Sequence, residues 1–120
     1  MNKYDAQFFI DFFSKIPERK WTTFKFTDKV RGLFGPYYQH CALGFCYYKG
    51  VKIQKYNWES LPVDRNREMA DALMKLAING FGGCLPSITS INDGFTYKFR
   101  QKTPKKRILA ALKEFKEKGL

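Results

Sequence analysis

The single histidine and two of the three cysteines of this 120-residue chain fall together in His40-Cys41-Ala42-Leu43-Gly44-Phe45-Cys46. Cys41 sits where a helix is expected to begin. There the positive end of the helix dipole favours thiolate, the nucleophilic form of cysteine. His40 would be the only imidazole base available, with Asp93 or Asn92 to orient it. Neighbouring residues on one element point apart, however, and working Cys-His pairs usually come from separated segments. Cys41, His40 and Asp93 are therefore weak catalytic candidates, and a buried structural cysteine is the expected outcome. His40, Cys41, Cys46 and Cys84 supply four zinc-ligand types, but their spacing matches no paired motif.

Other arrangements offer less chemistry. Asp64, Asp71 and Asp93 are scattered rather than clustered. Gly80-Phe81-Gly82-Gly83 follows a helix instead of opening one, unlike a phosphate-cradling loop. No metal and no cofactor is expected. Asn92-Asp93-Gly94 reads as a tight turn whose side chains cap the helix beginning at Cys41.

Charge is the stronger signal. The formal net charge is +11, and residues 98–120 hold nine basic residues against two acidic ones, a net of +7. Lys98, Arg100, Lys102, Lys105, Lys106, Arg107, Lys113 and Lys116 make this segment the main candidate for binding a partner. The expected partner is nucleic acid or an acidic protein. Tyr97 and Phe99 lie among these cations, an interleaving that suits single strands, where rings stack on bases and cations meet phosphates. A second aromatic stretch, Leu33-Phe34-Gly35-Pro36-Tyr37-Tyr38, is too apolar for an idle linker. Its Phe34, Tyr37 and Tyr38 would be anchors for a protein partner's pocket, as in an inhibitor.

The elements that must position these residues follow from periodicity. Residues 5–16 predict a helix capped by Asp5 and ended by Pro17, with Phe9, Phe12, Phe13 and Ile16 on its apolar face. Thr and aromatic residues from Lys20 to Asp28 predict a short strand. The glycines and Pro36 of 31–38 predict a turn or loop. A short helix is expected from Cys41 to about Tyr48, then a weak strand over 51–56. A longer helix over about 64–78 uses Met69, Leu73, Leu76 and Ala77, with Asn79-Gly80 as its end signal. Residues 81–86 predict a loop, 87–91 are ambiguous, and 95–100 alternate like an edge strand. Thr103-Pro104 opens a last helix that buries Ile108, Ala111, Leu112 and Phe115.

These elements predict one domain over residues 1–120. The fold class is α+β and predominantly helical: three main helices, a short one and a small two- or three-stranded element, with all-α as the alternative. Twelve Phe, seven Tyr and two Trp let few side chains fill a core of this size. Three unevenly spaced cysteines argue against a disulfide framework. Neither a membrane-spanning run nor a signal peptide is evident, so a cytoplasmic protein without membrane contact is expected.

In the order Trp21, Cys41 to Gly44, an amphipathic helix, Ile91 to Gly94, and a Thr-Pro-opened helix carrying Arg107 to Leu112, the chain resembles a family of small uncharacterised domains of bacteria and their phages. The resemblance implies a fold and a phage or prophage setting. It carries no activity. A small basic protein of that kind would be an accessory factor, binding rather than catalysing.

Overall fold

The computed structural model describes residues 3–25, 27–49, 67–81, 87–96 and 98–120. Among them are five helices and a two-stranded antiparallel sheet, the mostly helical α+β architecture expected.

Helix α1 (Ala6–Ser14) starts at Asp5, whose carboxylate accepts the Phe8 N–H at 2.8 Å. Helix α5 (Pro104–Glu117) starts at Thr103, whose hydroxyl accepts the Lys106 N–H, with Pro104 in the first turn. In both, the cap satisfies a backbone donor that the helix itself leaves open. Phe9 and Phe13 of α1 and Ile108, Ala111, Leu112 and Phe115 of α5 have no measurable exposure. Each large side chain so buried contributes about 1.5–3 kcal/mol.

Helix α3 (Arg67–Gly80) adds Met69, Ala70, Leu73, Leu76 and Ala77 to the same core. It runs through Asn79 and Gly80, two residues further than the sequence pattern suggests. Gly80 lies against α5, where a Cβ would run into the Phe115 ring, so glycine permits the approach. Helix α2 (Ala42–Tyr47) is at the centre, with Ala42 through Cys46 all buried and contacts to α3, α4, α5 and the sheet. The segment carrying the histidine and cysteines is thus the one the other elements close over.

Two stretches differ from expectation. Residues 31–38 are not a loop: β1 (Thr27–Gly32) and β2 (Gly35–His40) form a hairpin in register from Thr27 opposite His40 to Gly32 opposite Gly35. Its turn is only Leu33-Phe34, both fully exposed, and Gly35 supplies the positive φ of 115° at the exit. The glycines and proline bracket a two-residue turn, and Pro36 is tolerated because a hairpin strand can have an open edge. The strand expected from Lys20 instead begins at Thr27. Trp21 makes one isolated bridge to His40, and Phe24 adopts a φ of 65° that interrupts extended backbone.

The ambiguous residues after 86 form a further helix, α4 (Ile88–Asp93), capped by Ser87 and closed by Gly94 at φ 83°. Asn92-Asp93 is therefore its last turn, and Gly94 takes the left-handed position that stops it. The expected edge strand near Phe95 and Phe99 is absent among the described residues: Phe99 is buried and Phe95 exposed, with no strand pairing. The strand expected over 51–56, the start of the helix expected at 64, most of the loop over 81–86, Cys84 and Tyr97 lie outside the described residues.

Candidate functional site

The start of α2 meets the end of α4 at Asn92, which is completely buried. The Asn92 side-chain oxygen accepts the Ala42 N–H at 3.0 Å. Its amide nitrogen donates to the Thr22 carbonyl at 3.0 Å and to Asp93 Oδ1 at 2.9 Å. Asp93 Oδ1 also accepts the Phe24 N–H at 3.0 Å. A buried amide with this many partners ties three segments together. The expected cap on the α2 start is thus present, and Asn92 provides it.

Arg107 completes the junction. Its Nε donates to the carbonyls of Ile91 (3.1 Å) and Asn92 (3.2 Å), Nη2 to Asn92 (2.7 Å) and Nη1 to Gln101 (2.8 Å). The end of α4 presents the carbonyls that a helix leaves unpaired, and a guanidinium fork suits them. Burial lowers the Arg107 pKa, while the Asp93 carboxylate works in the opposite direction. Arg107 must therefore be removed from the partner-binding set. Its position four residues before Ala111 turns it onto the buried face of α5.

Cys41 and His40 do not form a pair. Cys41 Sγ accepts the Gly44 N–H at 3.4 Å and faces a small cavity of about 170 Å³ shared with Phe24, Lys25, Thr89 and Asp93. Burial pushes its thiol up from 9.0 to about 11, opposed by the Gly44 bond and assisted by the Asp93 charge. The helix-start effect is outweighed by desolvation, and the group is a thiol at neutral pH. Cys46 is raised too, by burial first. His40 instead lines a different groove, with its ring 5.2 Å from Phe45 and 5.1 Å from Tyr48. Among the described residues no group of three or more metal-ligating side chains occurs.

The basic segment divides in two. Lys98 forms an ion pair with Glu114. Lys105 donates to the Ser14 carbonyl at 3.1 Å and Lys116 to Gln7 Oε1 at 2.5 Å, stitching α5 to α1. Arg100, Lys102, Lys106 and Lys113 are exposed, with no ion pair among the described residues. Arg100 borders a hollow of about 480 Å³ with Phe95, Thr96 and Gln101. Beside it the exposed rings of Phe24 (67%) and Phe95 (69%) lie 5.4 Å apart, tilted by 57°.

Tyr37 and Tyr38 are half-buried on β2, with the Arg19 guanidinium 5.5 Å from the Tyr37 ring. Both border the His40 groove, a space of about 560 Å³ that also takes in Lys15, Lys20 and Lys49. Sequence reasoning did not single out these three lysines, because they are far apart in the chain and ordinary in their local patterns. Phe24 carried a signal only as a strand residue.

Comparison with protein-family models, curated proteins and solved structures gives no match. No helix among the described residues is long and apolar enough to cross a membrane.

Proposed function

We propose that the protein binds single-stranded nucleic acid through the surface formed by Phe24, Phe95 and Arg100, with the exposed Lys102, Lys106 and Lys113 adding to the attraction. The observation that carries this reading is the exposed Phe24–Phe95 ring pair next to an exposed guanidinium. Large apolar rings in contact with each other and with water are costly to leave uncovered, and bases can cover them by stacking. Phe24 is also held at a left-handed φ by the bond from its N–H to Asp93. Such a conformation costs on the order of 1–3 kcal/mol and persists where the surroundings hold it, as the Asp93 bond does here. The net charge of +11 supplies attraction to any polyanion.

Fluorescence anisotropy with labelled single- and double-stranded DNA and RNA tests the reading. Single strands are expected to bind more tightly than duplexes, with affinity falling steeply between about 50 and 200 mM salt. Phe95→Ala is expected to weaken single-strand binding about tenfold, since each base–ring stack contributes about 1–3 kcal/mol. Absence of binding at low salt, or equal affinity of wild type and the Phe95→Ala variant, overturns it.

A further inference from the structure

We propose that the groove between the end of α1, β2 and the end of α2 is a second binding site, for a small planar anion of the nucleoside-monophosphate class. It lies on other residues than the Phe24–Phe95 surface and does not depend on that reading. The groove encloses about 560 Å³, within the range of small-molecule sites, roughly 300–1,000 Å³.

Its charge is one-sided. Lys15 closes α1, Lys20 ends the short 3-10 turn Glu18–Lys20, and Lys49 follows α2, so three separate elements each deliver an ammonium to one space. Among the described residues, the eleven that line it include no acidic one. Neither Lys15 nor Lys20 meets a carboxylate among the described residues. A similar hollow of about 540 Å³ along α3 provides the contrast: there Arg67 and Lys75 stand with Glu68 and Asp71, and Arg67 lies 3.8 Å from Asp71. Of these two hollows, the first is the one whose described lining carries positive charges alone.

The remaining wall is aromatic: His40, Phe45 and Tyr48 are buried against one another at its base, and the part-buried rings of Phe12, Tyr37 and Tyr38 border the space. The His40 and Tyr48 rings lie nearly parallel, 24° apart in plane, and Phe45 meets His40 edge-on. Lys49 rides 5.5 Å above the Phe12 ring, which holds its ammonium near the groove. The part-exposed Phe12, Tyr37 and Tyr38 rings select a flat, polarizable group, and the lysines select an anion attached to it. A nucleobase with one phosphate offers both at the right size. A bare phosphate would use only the cations, and a nucleoside only the rings.

Isothermal titration of the full chain with adenosine monophosphate, adenosine and inorganic phosphate distinguishes these cases. The nucleotide is expected to bind at least about tenfold more tightly than either fragment, the equivalent of ~1.4 kcal/mol. Lys20→Glu and Lys15→Glu, both at solvent-accessible positions, are each expected to weaken the nucleotide by a similar factor, while Phe95→Ala leaves it unchanged. Binding of inorganic phosphate as tight as that of the nucleotide reduces the groove to a non-specific cation patch and overturns the proposal. So does failure of the nucleotide to bind, or indifference to both lysine substitutions. Because Phe95→Ala belongs to the other surface, either site can fail its own test while the other still binds its ligand.

Discussion

At the junction of α2 with α4, Asn92 is fully buried, both polar atoms of its amide are bonded, and Arg107 covers its carbonyl. In the groove between α1 and β2, three lysines share a wall of rings without a carboxylate among the described lining residues. Both regions gather polar and charged groups from distant parts of the chain. In the first, water is excluded and each donor must find an acceptor inside the protein, so the polar groups hold the fold. In the second, water solvates Lys15 and Lys20 at little cost, and both remain available to something else. Arg100 and Arg107 repeat the contrast within one hollow, one exposed and the other committed to backbone carbonyls.

The contrast breaks most clearly at the junction. Asn92→Leu strands the Ala42 N–H and the Thr22 carbonyl, and is expected to cost about 3 kcal/mol or more, since each buried unpaired group costs roughly 1–3 kcal/mol. Urea denaturation checks it. A loss as small as that caused by Lys20→Glu would remove the distinction between the two regions.

Next in size is the behaviour of Cys41. Its alkylation midpoint is expected near pH 11 rather than the ordinary 9.0. Because the folded-state pKa is raised, the unfolded chain releases its proton first. Stability from this group is intact below pH 9.0 and is lost as pH rises through about 11. Thiol-reactivity profiles and melts across that window test both statements. A midpoint at or below the ordinary value would place Cys41 with the available groups instead of the sequestered ones.

The smallest effect concerns Phe24. Phe24→Gly is expected to leave stability unchanged or raise it by up to about 1 kcal/mol, because glycine adopts positive φ freely. The same change should weaken single-strand binding. A variant that is less stable yet binds normally would make the ring structural.

Much of the scaffold was legible because its signals are local. The Phe stripe of α1, the Asp5 and Thr103 caps and the Thr103-Pro104 opening each occupy a few adjacent residues. Asn92 was legible as a capping residue, though its partner at Ala42 was reached only through the expectation of a helix start at Cys41. The hairpin was not, since Gly32, Gly35 and Pro36 signal a turn without saying how tight it is. Six-residue α4 is too short for periodicity to separate helix from strand. Arg107 looks like a surface cation in composition, and only the carbonyls of α4 and Gln101 reveal its role. Lys15, Lys20 and Lys49 converge through packing of α1, the hairpin and α2, which no window of sequence contains.

The bonds at Asn92 span long stretches of chain: 50 residues to Ala42 and 70 to Thr22. Helix α2 has six residues, too few to persist alone in water. During synthesis its first turn therefore waits, without its lock, until the ribosome has released α4. The centre of this protein closes only after α1 and the hairpin have emerged, Arg107 of α5 completes it later still, and its folding rate should be governed by that long-range closure rather than by helix formation.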